Sequence, residues 1–454
     1  MVSNGKSSFA AGLLSNNTDG QLQRGTRGYV HAHTASASFT HYFAEKWQLA
    51  LRLSYDDRDF GAQNFYTTFL SDTATERVKS FWNQLQLQYK GNRDIVRFST
   101  GYKHLLDHYR YNGASAANES KSVLWQSMIT HERALSETNS IVSGVQFINK
   151  SISSNDRGDH SISQAAIFAI FNKRISHLTI SPALRLEWNE RAGWEWVPQA
   201  NVSFRKNDWQ IRGSIGKTIR DADFTERYNN YNKALVTGGR IGNPDLVAER
   251  SLSYEAGADY FAGSAFKVSA TFFQRRHANL IDYAPTTYLQ MPRRENLVPT
   301  GSYALAKNIA EVTTTGFETD LQYSKNFTAD RQLWATVGFT RLHSLSSDSV
   351  PSFYVSSHAR YLANFNIRYS QGFMALALNG LYKNRTPQQA GSELAAVEAD
   401  YFVLNAKAEA SLFQKKLIAF IEADNLLNTK YSDLLGAAMP GRWLMTGLKI
   451  TLYK

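Results

Sequence analysis

Cysteine is absent from the 454 residues, which excludes a disulfide scaffold and a thiolate metal site. Long apolar runs are missing too. The longest extends from about Ala165 to Phe171, far short of the roughly 18 residues that a membrane-crossing helix needs. A helical inner-membrane protein is therefore excluded. Proline is sparse, at 9 residues, beside 28 glycines, 23 tyrosines and 26 phenylalanines. That balance suits strands and turns better than helices. The opening Met1-Val2-Ser3-Asn4-Gly5-Lys6 carries no apolar core of an export signal. If the chain is exported, a fragment or a removed start is expected.

Charge of one sign dominates only mildly. There are 50 Lys+Arg against 39 Asp+Glu, a formal net charge of +11. A nucleic-acid surface would gather the basic residues on one stretch. Here they are spread through the chain, so nucleic acid is not an expected partner. A basic surface of this kind suits the phosphates of membrane lipid and lipopolysaccharide, or an anionic ligand.

What is present is period-2 alternation from one end to the other. Phe81, Leu85, Leu87 and Tyr89 share one face, and Trp82, Gln84, Gln86 and Gln88 the other. Tyr361, Ala363, Phe365, Ile367 and Tyr369 oppose Leu362, Asn364, Asn366 and Arg368. Leu404, Ala406, Ala408 and Ala410 oppose Asn405, Lys407 and Glu409. Alternation fits both a soluble sandwich and a membrane barrel; segment length separates them. About twenty segments of roughly 10 to 15 residues match tilted membrane strands, whereas sandwich strands average about 5 or 6. Connections alternate between short ones, such as Gly91-Asn92-Arg93 and Asn207-Asp208, and long ones at residues 15–27, 58–75, 221–250, 279–303 and 386–398. Short turns on one rim and long loops on the other are the pattern of outer-membrane barrels. Aromatic residues near segment ends, among them Trp47, Trp194, Trp196 and Trp209, fit an interfacial belt. The expected fold class is all-β: a transmembrane antiparallel up-and-down β-barrel, formed as a single domain over residues 1–454.

Several stretches resemble the TonB-dependent receptors. Ser214-Ile215-Gly216-Lys217-Thr218-Ile219-Arg220 followed by Phe224-Thr225-Glu226-Arg227-Tyr228 resembles that family's strand before a large outer loop. Gly242-Asn243-Pro244-Asp245-Leu246, Glu249-Arg250-Ser251 and Tyr254-Glu255-Ala256-Gly257 are similar to its NPDL signature. Gly316-Phe317-Glu318, and later Asn425-Leu426-Leu427-Asn428 with Tyr431 and Pro440-Gly441-Arg442, match its closing segments in the right order. Arg58-Asp59-Phe60-Gly61-Ala62 with Phe65-Tyr66 is similar to receptors of the Bacteroidetes type, often labelled cobalamin receptors. The final Gly447 to Tyr453 looks like a barrel-assembly signal, although Lys454 follows the aromatic residue.

The resemblance implies a Gram-negative outer-membrane location, an N-terminal plug that contacts TonB, and a barrel of about twenty-two strands. Counted against that pattern, Ser7 to Leu14 corresponds to the third family strand. The plug, its TonB box and two strands are then expected to be missing from this chain, so that TonB would be reached only through the missing plug. The implied function is TonB-coupled uptake of a scarce bulky ligand, such as cobalamin, siderophore-iron, haem or a saccharide. A passive porin-like or adhesin barrel is the alternative, and a lipase or protease barrel a third. No nucleophile–base set stands out, so no enzyme activity, catalytic residue or cofactor is expected.

No resident metal is expected either. His31, His33, His41 and His104 lie inside alternating segments, and Asp56, Asp57 and Asp59 read as a solvated turn rather than a calcium loop. Aromatic and arginine residues in the long loops suit a bulky small-molecule or metal-chelate ligand with negative charge. The candidates are Arg58, Phe60, Tyr66, Tyr228, Tyr231, Tyr288, Arg293 and Arg294. A chain patterned in this way requires detergent to stay dispersed. A compact monomer in detergent-free buffer, seen by sedimentation, contradicts the membrane reading.

Overall fold

The structure is a computed structural model. It describes every residue except 1, 21, 24–25, 64–70, 310, 348–358, 386–398, 415, 432–438 and 452–454. The chain divides into two compact units: residues 1–201, 216–252 and 277–311, and residues 202–215, 253–276 and 312–454.

The strands of the first half are β1 (Val2–Ser3), β2 (Ser7–Thr18), β3 (Leu22–Gln23), β4 (Thr26–Arg27), β5 (Val30–Ala44), β6 (Trp47–Gly61), β7 (Thr75–Lys90), β8 (Asp94–Arg110), β9 (Asn118–Ala134), β10 (Asn139–Ser154), β11 (Gly158–Ile175) and β12 (Leu178–Asn189). Next come β13 (Gly193–Lys206), β14 (Trp209–Arg220), helix α1 (Phe224–Tyr228), β15 (Val236–Ile241), β16 (Glu249–Ala262), β17 (Phe266–Ala278), β18 (Ile281–Thr286) and β19 (Leu297–Asn308). The chain continues through β20 (Val312–Thr328), β21 (Arg331–Ser346), β22 (Tyr361–Gln371), β23 (Met374–Asn384), β24 (Asp400–Leu412), β25 (Leu417–Asp424) and β26 (Trp443–Ile450). One 21-stranded sheet takes all of these except β15, β18 and β19, which form a small sheet of their own, and the β3–β4 ribbon. Among the described residues no helix is long and apolar enough to cross a membrane, which says nothing of crossing by strands.

Sequential strands pair antiparallel, and the register carries each face across the sheet. In the first unit one row reads Leu49, Leu87, Phe98, Ile129, Val145, Ile167 and Leu186, each directly opposite the next. One residue along, the other face reads Gln48, Gln88, Arg97 and Thr130, with Arg97 Nε donating to Gln88 Oε1 at 2.7 Å. In the second unit Tyr323, Ala335, Ile367, Leu378, Ala406, Ala423 and Leu444 form a row. Gln322, Thr336, Asn366, Asn379 and Asn405 form its polar counterpart. A side-chain period of two makes register and face inseparable, since slipping one residue would exchange the two rows. The apolar rows carry exposed side chains, with Ile167 at 56% and Leu444 at 65%, where a soluble protein would cover them. The bulk of the buried apolar residues lies elsewhere, around the small β15–β19–β18 sheet.

Connections depart from strict alternation. In each unit, one end of the strands carries short turns among the described residues, such as 91–93 and 135–138 in the first and 372–373 in the second. The opposite rim carries the long connections, but it also carries two three-residue hairpins, 155–157 and 190–192. Stretches expected as loops are ordered as well. Strand β6 runs through Asp56, Asp57 and Asp59 to Gly61, so these carboxylates stand on a strand and not on a turn. Arg77, from the neighbouring strand, holds Asp57 with two bonds of 3.0 and 2.9 Å. Cross-strand neutralisation lets an acidic run extend in β form.

At Gly144 on β10, an added Cβ would lie 2.5 Å from the Phe168 ring and 2.6 Å from the Ile129 carbonyl oxygen. Phe168, directly opposite on β11, covers the glycine. Because a backbone atom bounds this gap, Gly144→Val is expected to cost about 1–3 kcal/mol. It should lower the temperature at which the compact electrophoretic form is lost. Gly101→Ala, whose Cβ meets its nearest neighbour at 3.4 Å, should leave that temperature unchanged.

Candidate functional site

Two of the long connections, residues 221–248 and 279–309, fold into a lobe at the rim of the first unit. Its parts are α1, the turn Tyr288–Gln290, and the three-stranded sheet in which β15 pairs parallel to β19 and β18 antiparallel to β19. Short as it is, α1 is started by a reciprocal capping box. The Asp223 carboxylate accepts from Glu226 N at 2.8 Å, and the Glu226 carboxylate accepts from Asp223 N at 2.8 Å. The sheet closes over Val236, Ile241, Met291, Leu297, Tyr303 and Leu305, with Tyr231 and Tyr288 packed against them.

The NPDL stretch holds α1 to this sheet. Gly242 passes so close to α1 that a Cβ would fall 2.4 Å from Tyr228 N and 2.5 Å from the Arg227 carbonyl carbon, an approach open only to glycine. Asn243 donates to the Ala306 carbonyl at 3.1 Å, and the Asn229 and Asn230 amides both reach the Arg240 carbonyl, at 2.7 and 2.8 Å. Arg227 is buried at 3% exposure. It donates to Asp221 at 2.5 Å and to the Pro244 carbonyl at 2.7 Å.

At the base of the lobe, the Arg220 guanidinium lies between two carboxylates. It reaches Glu249 at 2.6 and 2.7 Å and Glu226 at 2.9 Å twice. Glu249 also accepts the Ile281 amide at 2.7 Å. One planar fork thereby fastens the end of β14 to α1 and to the starts of β16 and β18.

The two short hairpins lie under the lobe. Asp156, fully buried, has Lys233 Nζ at 3.4 Å and Arg157 at 3.8 Å. Its carbonyl accepts from Asn232 N at 2.8 Å. From β11, the His160 ring stacks on Tyr228 with centroids 3.5 Å apart and planes at 7°. From the other hairpin, Arg191 donates to the Tyr228 hydroxyl.

Of the residues picked out from sequence, Tyr228, Tyr231, Tyr288, Arg293 and Arg294 come together in this lobe. Tyr228 is only 6% exposed and serves as a packing centre. Arg293 lies 4.5 Å above the Tyr231 ring and donates to the Tyr231 carbonyl at 2.8 Å. Arg294 is exposed and lies 5.8 Å from the Tyr288 ring centre. Burial pushes the Tyr231 and Tyr283 phenols above their ordinary range. Arg58 and Phe60 stand on β6, away from these lobe elements in the chain; Arg58 is exposed and lies 3.6 Å from Asp56. Tyr66 lies outside the described residues. Among the described residues, no group of three or more His, Asp or Glu side chains is placed to hold a metal.

Residues 3–426 match the family described as TonB dependent receptor-like, beta-barrel. The chain belongs to that family, and its long strands are those of a transmembrane antiparallel β-barrel. The fold is similar to the siderophore receptor PirA from Pseudomonas aeruginosa (TM-score 0.73, 14% identity, covering 98% of this chain and 74% of that one). It is similar as well to the FrpB iron transporter from Neisseria meningitidis (F3-3 variant; 0.76, 12%, 98% and 77%). A third similar structure is the copper transporter OprC (0.77, 11%, 99% and 76%).

Truncating Arg227 to alanine strands the buried Asp221 carboxylate, which is expected to cost roughly 3–5 kcal/mol locally. Hydrogen exchange should then rise sharply in residues 221–248 and stay unchanged in β7 to β9. Unaltered exchange in the lobe would show that the pair does not hold it.

Proposed function

We propose that this chain is the barrel of an outer-membrane receptor that captures a scarce, bulky, negatively charged chelate at the long-connection rim for TonB-coupled uptake. Siderophore-iron and haem are ligands of this size and charge, and cobalamin is a neutral ligand of the same bulk. The observation that carries the reading is the family match over residues 3–426. The arginine–tyrosine pairs on the rim lobe add a chemical preference. Arg294 with Tyr288, and Arg293 with Tyr231, each present a cation beside an aromatic face. That pairing suits planar anionic or aromatic chelates. We read the ligand as an intact complex whose metal is satisfied by its own chelator, since among the described residues no group of three or more His, Asp or Glu side chains is placed to hold a bare ion. Arg58 and Phe60, and Tyr66 beyond the described residues, are proposed as further contacts. Energy for release is delivered by TonB through a plug, and the barrel itself carries out no covalent chemistry.

The test is equilibrium binding of the detergent-solubilised protein to a ferric catecholate, a ferric hydroxamate, haem and cyanocobalamin. One class should bind. Arg293→Ala and Arg294→Ala should each weaken it roughly tenfold, the value of one charge-assisted hydrogen bond. Failure of all four ligands, together with an open ion conductance in planar bilayers, would favour a passive pore.

A further inference from the structure

A groove of about 430 Å³ interrupts the exposed apolar face of β9 to β13. Its origin is visible in the register. Across β9, β10, β11 and β12, one row reads Ile129, Val145, Ile167 and Leu186. The next row on the same face, two residues nearer the short-turn rim, reads His131, Ser143, Ala169 and Leu184. The row after that returns to bulk at Ile141 and Phe171. Directly opposed residues share a face, so Ser143 and Ala169 form the floor of a trough between two tall rows. Trp196 joins the lining.

The trough has one polar end. His131 Nε2 lies 2.8 Å from Asp94 Oδ1, and the Arg133 guanidinium lies 3.6 Å from the same oxygen. Arg133 is directly opposite Asp94, next to the short turn 135–138, and keeps 56% of its side chain exposed. Asp94 keeps 32%. A cation and an anion therefore stand side by side where an otherwise apolar groove ends.

We propose that this groove holds one acyl chain of a zwitterionic glycerophospholipid from the leaflet at the short-turn rim. The Arg133 guanidinium receives the lipid phosphate, and the Asp94 carboxylate, positioned by His131, receives the head-group ammonium. Charge complementarity selects this occupant. An anionic phospholipid offers the phosphate but only neutral hydroxyls and no cation for Asp94, and lipid A carries its charge in the opposite leaflet. The inference rests on the membrane reading of the apolar face, and it adds a lipid partner distinct from the transported ligand.

The test is native mass spectrometry of the full chain, purified in mild detergent and exposed to equal amounts of phosphatidylethanolamine and phosphatidylglycerol. One retained phosphatidylethanolamine is expected, preferred roughly tenfold. Ala169→Trp fills the trough from its outer side, where no core packing is disturbed, and should abolish retention. Asp94→Asn should bring the preference between the two lipids close to unity while an adduct remains. Equal retention of both lipids by the unaltered protein, or undiminished retention by Ala169→Trp, overturns the proposal. A heat-modifiable band for each variant confirms that it is folded. Failure of the membrane reading shows separately, as a protein that stays monomeric without detergent whatever its lipid content.

Discussion

The governing constraint is that a backbone crossing hydrocarbon must satisfy every N–H and C=O internally. A meander of long antiparallel strands does this with sequential neighbours, and the consequences reach every side chain. Where a strand is paired with its neighbours, register decides which face a residue occupies. This is why Leu87, Phe98, Ile129 and Val145 line up across separate strands, and why Gln88, Arg97 and Thr130 do the same one residue away. The hydrophobic effect acts here in an inverted sense. The tall apolar rows are outermost, and among the described residues the buried core of the globular kind lies in the rim lobe.

The lobe is held by charge as much as by burial. Arg220 with Glu226 and Glu249, Arg227 with Asp221, and Asp156 with Lys233 tie its segments to strand ends and to one another. Arg220 and Arg227 each reach acceptors from more than one segment, which lets a short helix and six-residue strands persist without a large interior. A ligand surface built on such a frame presents its arginines from a fixed backbone, and less conformational freedom is lost when something binds.

The long strands were legible because each repeats its period over ten or more residues. Phe81 to Tyr89 needs no tertiary information to be read. The lobe was not legible, for three physical reasons. Val236-Thr237-Gly238-Gly239-Arg240-Ile241 reads as a turn by composition, and its strand partner begins sixty residues away. Tyr228 looked like a ligand contact because it is aromatic and follows a strand end; its stacking partner His160 comes from a distant hairpin that no local pattern connects to it. The run Asp56 to Asp59 read as a turn because the cation that neutralises Asp57 sits on the next strand, at Arg77. The NPDL stretch did signal the right place. Its Gly242 and Asn243 turn out to hold α1 against the small sheet.

The three-residue hairpins 155–157 and 190–192 bear on how this surface can vary over time. Their tips are fitted beneath the lobe through Asp156, Asn232 and Arg191. An insertion at either tip would lift the lobe from its seat. Length variation is therefore channelled into the other connections of that rim.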